Sequence, residues 1–159
     1  MVPQGEHAPD FTLDRHDGGS FTLSKEVASS PIVLFFYPRD FTPICTAEAC
    51  MFRDMHAQLA GAGLRVFGVS PQTVAEHQRF VSTYQLPYVL LSDPTRRVIS
   101  AYAGRMFGIR IPGFTRRVTY LIDRNMMVVE RITADLSATA HGRILAAARK
   151  SGSASVQSD

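Results

Sequence analysis

At 159 residues, the chain is long enough to form one domain around its own hydrophobic core. Its 45% apolar and 19% charged residues are typical of a globular protein, and no segment approaches the roughly 18 apolar residues of a membrane span. The net charge of +3 is scattered along the chain. We therefore expect neither a membrane nor a nucleic-acid partner, because even the densest basic patch lacks the block character of a nucleic-acid-binding arm: Arg105, Arg110, Arg116 and Arg117.

The N-terminus and the cysteine content predict a cytoplasmic protein. The first residues, MVPQGEHAPDF, lack the basic and then apolar pattern of a signal peptide. The only two cysteines, Cys45 and Cys50, are too few for a disulfide scaffold and lie five positions apart. A close pair of this kind is more often catalytic than structural, so we expect the chemistry of the protein in this segment.

The first part of the chain predicts a hairpin, a buried strand and a helix. Residues 11–13 and 21–23 flank an Asp-Gly-Gly turn and should pair as a hairpin. Residues 31–37 (PIVLFFY) have the composition of a buried strand. A helix should run from Thr42 to about Ala60. The positions of this helix that should face the sheet are Cys45, Ala49, Phe52, His56 and Leu59.

The remaining segments alternate strands and helices. Predicted strands are 64–69, 88–91, 117–123 and 126–132, the last two forming an antiparallel hairpin. Predicted helices are 73–85, 93–102 and 136–150, the last capped by Ser137, and 104–113 should be a loop. This order predicts an α/β fold with a central mixed β-sheet flanked by helices. We predict a single domain over residues 1–149 and a disordered polar tail over 150–159.

The position of Cys45 favours its thiolate. Thr42 is a good N-cap, Pro43 occupies the first helical position, and Cys45 occupies the third. Free backbone N–H groups and the helix dipole favour negative charge there. The sequence therefore predicts a reactive thiol.

Helix geometry separates the two cysteines. Five residues along an ideal helix place their Cα atoms roughly 8.6 Å apart, beyond the limit of about 7 Å for a disulfide without backbone movement. If Cys45 and Cys50 pair, the first turns of the helix must unwind. We predict a folded helix in the reduced protein and local melting over residues 42–52 in the disulfide form.

These residues resemble a known family. Pro38, Thr42 and Cys45 fit the P-x-x-x-[TS]-x-x-C motif of peroxiredoxins, which are thiol peroxidases with a thioredoxin-like fold. The longer string YPRDFTPICTAEACMFRD resembles the bacterioferritin-comigratory-protein or PrxQ branch. The likeness extends from the Gly-x-x-Ala-Pro-Asp-Phe segment at Gly5 through the Arg-Val-Thr-Tyr-Leu-Ile-Asp segment at Arg117 to the last helix.

The resemblance implies a role for each site residue. Cys45 would be the peroxidatic nucleophile and form a sulfenic acid. Thr42 would orient the peroxide, Pro38 would shield the thiolate, and Arg117 would stabilise both thiolate and peroxide. The supporting residues are Glu48, which would orient an Arg, and Tyr37.

The resemblance also implies a complete reaction cycle. Cys50 would resolve the sulfenic acid as an intramolecular disulfide, which a thioredoxin-type dithiol would then reduce. The substrate would be hydrogen peroxide or an alkyl hydroperoxide, no cofactor is implied, and the protein would be a monomer or weak homodimer. Phe41 and Ile44 are bulkier than is usual for the branch and would narrow the pocket or favour alkyl hydroperoxides. The absence of a Gly-Gly-Leu-Gly string predicts resistance to overoxidation.

Four alternative functions share some of these features. A peroxide-sensing binding protein would use the same cysteines without fast turnover. A dithiol oxidoreductase usually has Cys-x-x-Cys, whereas four residues intervene here. A zinc site and a Cys-His hydrolase would need histidines near Cys45. The five candidates are scattered along the chain: His7, His16, His56, His77 and His141.

Overall fold

The computed structural model describes residues 1–104, 115–133 and 138–154, with side chains of the last segment described for 142–150. The strands of this part of the chain are β1 (Thr12–Arg15), β2 (Ser20–Thr22), β3 (Ile32–Phe36), β4 (Arg65–Ser70), β5 (Val89–Ser92), β6 (Val118–Ile122) and β7 (Val128–Thr133). Its helices are α1 (Leu23–Val27), α2 (Pro43–Gly61), α3 (Val74–Tyr84), α4 (Arg97–Ala103) and α5 (Ala138–Ala154).

The seven strands form one mixed sheet in the order β2-β1-β5-β4-β3-β6-β7. β3 lies between β4, which is parallel to it, and β6, which is antiparallel. β6 and β7 form the predicted antiparallel hairpin, and β1 and β2 form the predicted N-terminal one. The prediction of an α/β fold with a mixed sheet is confirmed.

Alternate residues of β3 supply two hydrophobic cores, one on each face of the sheet. Ile32, Leu34 and Phe36 pack into the core that includes α4. Val33 and Phe35 pack into the core beneath α2, α3 and α5. Burial on both faces explains why this strand is apolar without alternation.

Gly68 in β4 sets the position of α2. A Cβ atom at this residue would lie 2.7 Å from side-chain atoms of Phe35 and of Leu90. The ring of Phe35 uses this space and stacks on Phe52 of α2, with ring centroids 4.5 Å apart. Glycine is therefore required for α2 to pack closely on the centre of the sheet.

Two helix predictions need correction, and the short helix α1 was not predicted. α4 begins at Arg97 rather than at Asp93, because Arg96 has φ of 59° and closes a turn onto the Asp93 carbonyl before the helix starts. α5 continues to Ala154, so the first part of the tail predicted to be disordered is helical. The predicted cap Ser137 and most of the predicted loop 104–113 lie outside the described residues. Within the described residues, no helix is long and apolar enough to cross a membrane.

Candidate active site

The N-terminus of α2 presents Cys45 near the carboxyl end of the inner strand β3. Thr42 has the extended backbone of an N-cap, Pro43 is the first helical residue, and Cys45 is the third. Cys45 is only 1% exposed, and both cysteines are free thiols. The structure therefore represents the reduced form, with the helix folded around Cys45 as predicted.

A guanidinium group lies against the Cys45 sulfur. Arg117, just before β6, donates from Nη2 to Cys45 Sγ at 2.9 Å. Its Nη1 donates to Glu48 Oε2, also at 2.9 Å. The sequence-predicted residues Cys45, Glu48 and Arg117 thus meet, although 69 residues separate Glu48 from Arg117. Arg117 thus brings a positively charged hydrogen-bond donor into contact with the sulfur while Glu48 engages the same guanidinium.

Glu48 is a buried carboxyl group whose ionisation is finely balanced. Glu48 is 2% exposed, and burial raises the pKa of its carboxyl group from 4.5 to about 7. The charge and the hydrogen bond of Arg117 lower this pKa and so oppose the effect of burial. Glu48 therefore holds the guanidinium in position, and near neutral pH it is divided between its charged and neutral forms.

Thr42 begins the helix but does not cap it with its side chain. No side-chain capping bond forms, and Oγ1 instead donates to the Arg39 carbonyl oxygen at 3.2 Å. Beside Thr42 lies an open cleft of about 370 Å³, lined by Arg39, Asp40, Phe41, Thr42, Gln72, Glu76 and Arg79. Pro38 is half-buried after the end of β3, and its role in shielding the thiolate stays a prediction.

Phe41 and Ile44 form an exposed apolar rim next to this site. They are 48% and 56% exposed. Phe41 has φ of 63°, an unfavourable conformation for a bulky residue. Its ring contacts Phe80 of α3, with centroids 5.0 Å apart.

Cys50 lies in different surroundings, on a half-buried side of α2. Near it, the Tyr88 hydroxyl donates to the Ala49 carbonyl oxygen at 2.7 Å. Burial, with smaller contributions from the charges of Glu48 and Cys50, raises the pKa of Tyr88 well above its usual value, so this hydroxyl keeps its proton. Arg53 donates to the Tyr84 carbonyl oxygen at 2.9 Å and also holds this part of α2.

A buried polar cluster lies beneath the loop that precedes α2, and the sequence analysis did not predict it. Asp40 accepts from the Tyr37 hydroxyl at 2.6 Å and contacts His77 Nδ1 at 2.7 Å. His77 Nε2 contacts the Leu91 carbonyl oxygen at 3.1 Å. We call Tyr37, Asp40 and His77 the Asp40 cluster. The sequence feature that could have predicted this cluster is His77, a histidine at one of the apolar positions of α3.

The geometry bears on two alternative functions. Both ring nitrogens of His77 are engaged by Asp40 and Leu91, so His77 does not serve as a base for Cys45. The side chain of His141 lies outside the described ones. Among the described residues, no group of three His, Cys, Asp or Glu side chains is placed to hold a metal ion.

Comparison with known proteins identifies the class of this fold and site. Residues 4–131 match the model of the AhpC/TSA family, and the chain belongs to that family. Its relatives place it in the bacterioferritin-comigratory-protein or peroxiredoxin Q branch, as the sequence predicted. Chloroplastic peroxiredoxin Q of Oryza sativa subsp. japonica is 41% identical over 129 residues, which cover 80% of this chain and 57% of the relative. The chain thus spans little more than half the length of this relative.

Solved structures support the same assignment. The peroxidoxin BcpB of Mycobacterium tuberculosis superposes with a TM-score of 0.82 at 32% identity, covering 94% of this chain and 98% of that one. The bacterioferritin comigratory protein of Xanthomonas campestris superposes with a TM-score of 0.77 at 27% identity, covering 88% of this chain and 90% of that one. The predicted thioredoxin-like fold is thereby confirmed.

Proposed function

We propose that this chain is a thiol peroxidase that uses Cys45 as its nucleophile. The observation that carries the proposal is the hydrogen bond of 2.9 Å from Arg117 to the Cys45 sulfur. The guanidinium stabilises the thiolate before reaction and can donate to peroxide oxygens as charge develops on them. An alkyl peroxide reduction activity is described for the Xanthomonas campestris protein. This activity supports peroxide reduction by the present chain.

In the proposed first step, the Cys45 thiolate attacks the nearer peroxide oxygen. The sulfur–oxygen bond forms as the oxygen–oxygen bond breaks, and the departing oxygen takes a proton from solvent to leave as an alcohol, or as water when the substrate is hydrogen peroxide. Because Thr42 Oγ1 donates its own proton to Arg39, the lone pairs of that oxygen can accept a hydrogen bond from the peroxide O–H. The sulfur is oxidised to a sulfenic acid by two electrons.

The proposed cycle closes through Cys50. Its thiol attacks the Cys45 sulfenic acid, forming a disulfide and releasing water, and a thioredoxin-type dithiol then reduces the disulfide. Both cysteines lie within the continuous helix α2, so this step requires the local unwinding predicted above.

The test is quenched-flow oxidation of the reduced protein by hydrogen peroxide and by cumene hydroperoxide, followed by mass spectrometry. Wild type should react fast and end as a Cys45–Cys50 disulfide. Cys45→Ser should not react, and Cys50→Ser should stop at the sulfenic acid. Oxidation no faster than that of a free thiol would contradict a peroxidase and favour a peroxide-sensing binding protein.

A further inference from the structure

The loop between β3 and α2, residues 37–42, carries a strained residue two positions before the helix. Phe41 has φ of 63°, in the left-handed region that favours glycine. Such a conformation is unfavourable for a bulky residue and persists only where the surrounding structure imposes it. The loop also carries Pro38 and Thr42, the two residues assigned to the peroxide pocket. Whatever imposes the conformation of Phe41 therefore also sets the geometry of this pocket.

Two successive loop residues are held by α3. His77 contacts the carboxylate of Asp40, and Phe80, one helical turn later, contacts the ring of Phe41. The Asp40 backbone N–H donates to Gln72 Oε1 at 3.2 Å, and the Asp40 side chain also accepts from Tyr37. Asp40 is thus held by two groups from outside the loop, His77 and Gln72, and by Tyr37 at the start of the loop.

The hydrogen-bond inventory fixes the number of protons in the Asp40 cluster. The Leu91 carbonyl oxygen can only accept, so His77 Nε2 carries a proton. At 2.7 Å, His77 Nδ1 and the Asp40 oxygen must share one further proton, because two lone pairs at this distance would repel. His77 is fully buried and Asp40 is 5% exposed, so an unsatisfied group here would be costly.

From these contacts we infer that Asp40 and His77 are positioning residues for the peroxide site. They fix the loop against α3 and β5, impose the conformation of Phe41, and thereby hold Thr42 and Pro38 in the orientation needed to bind peroxide beside Cys45. This inference rests on the proposed peroxidase function. It assigns the Asp40 cluster to the step in which peroxide binds and reacts, rather than to the formation of the thiolate.

The test separates peroxide positioning from thiol reactivity. Asp40→Ala should slow oxidation of Cys45 by hydrogen peroxide about 10- to 100-fold, the usual cost of misplacing a reacting group by about 1 Å. Alkylation of Cys45 by iodoacetamide needs the thiolate but no bound peroxide, so its rate should change less than threefold. Both rates are measured by mass spectrometry in the Cys50→Ser background, where only Cys45 reacts.

Asp40→Asn is the matched rescue variant. Its amide N–H can donate to a neutral His77 Nδ1 while its oxygen accepts from Tyr37, which keeps every contact of the Asp40 cluster. Its oxidation rate should stay within about threefold of that of the protein with Asp40. Three outcomes would overturn the inference. Asp40→Asn could be oxidised as slowly as Asp40→Ala, or Asp40→Ala could slow oxidation and alkylation equally. A folded Asp40→Ala that is oxidised at the original rate would be the third.

A second pair of variants keeps the test decisive should Asp40→Ala not fold. Tyr37→Phe removes one buried hydroxyl from the Asp40 cluster, and Tyr102→Phe removes one from the opposite core, where it donates to the Pro9 carbonyl oxygen. Only Tyr37→Phe should slow oxidation, by about threefold or more; equal rates in both would overturn the inference. Slow oxidation of the unaltered protein would instead contradict the proposed peroxidase function itself.

Discussion

Cys45 and Cys50 lie five residues apart on one helix, yet their surroundings differ in nearly every respect. Cys45 is buried in the first turn, where Arg117 donates to its sulfur. Cys50 is half-buried and lies beyond the first turn of α2. Near it, the Tyr88 hydroxyl donates to the Ala49 carbonyl oxygen. In the proposed cycle the same residue type has two tasks. Arg117 would activate Cys45 without any rearrangement, whereas Cys50 would become a partner only when α2 opens.

The largest expected effect is the loss of that helix in the disulfide form. Amides over residues 42–52 should lose hydrogen-exchange protection by about 100-fold or more after oxidation, because the helix cannot bring the two Cα atoms within bridging distance. Exchange followed by mass spectrometry on the reduced and peroxide-treated protein measures this. Peptides from α3 serve as the internal control and should not change. Equally slow exchange in both forms would show that the cysteines pair without melting, or do not pair.

Removing Arg117 should abolish most of the difference in reactivity between Cys45 and Cys50. Arg117→Ala loses both the charge next to the thiolate and the donor for the peroxide, so oxidation by hydrogen peroxide should slow by about 100-fold. Unlike Asp40→Ala, it should slow alkylation by iodoacetamide as well. Arg116→Ala removes the same charge one residue earlier and is the matched control, with a rate expected near that of the unaltered protein. Comparable slowing by both variants would indicate a general charge effect instead.

Glu48 predicts a pH dependence of stability with a definite sign. Burial raises its pKa from 4.5 to about 7. Between these values the folded protein binds more protons than the unfolded one, so the free energy of unfolding falls as pH rises through this window and then levels off. The Gln side chain in Glu48→Gln cannot ionise, so this variant should lose the slope. Its free energy of unfolding minus that of wild type should therefore increase by on the order of 1–3 kcal/mol from pH 4 to pH 8. Urea unfolding at both pH values measures the difference, and parallel pH profiles would contradict it.

The sequence predicted the parts of this molecule that depend on local pattern. The apolar segment of β3, the start of α2 after Thr42 and the antiparallel β6–β7 hairpin follow from composition and spacing. The meeting of Cys45 with Arg117 came from resemblance, since 72 residues separate them. The Asp40 cluster escaped prediction because it joins the loop before α2 to the first turn of α3, and 37 residues separate Asp40 from His77.

The prediction for Thr42 shows a subtler limit. Its place before Pro43 correctly predicts the start of the helix. Its hydroxyl, however, donates to Arg39 rather than capping the helix. Local preference thus fixed the backbone position, while the tightly held loop decided the hydrogen bond.

The smallest expected effect concerns how readily α2 opens at Cys50. Tyr88→Phe removes the hydroxyl that donates to the Ala49 carbonyl oxygen, which should cost about 1 kcal/mol of stability. If this bond must break before Cys50 reaches Cys45, the disulfide should form up to about fivefold faster from the sulfenic acid, while the first oxidation keeps its rate. Quenched-flow mass spectrometry resolves the two steps. Tyr102→Phe, which loses a comparable hydroxyl in the opposite core, should leave both steps unchanged. A destabilised Tyr88→Phe with an unaltered disulfide step would show that the opened segment ends before Ala49 and that Cys45, rather than Cys50, moves.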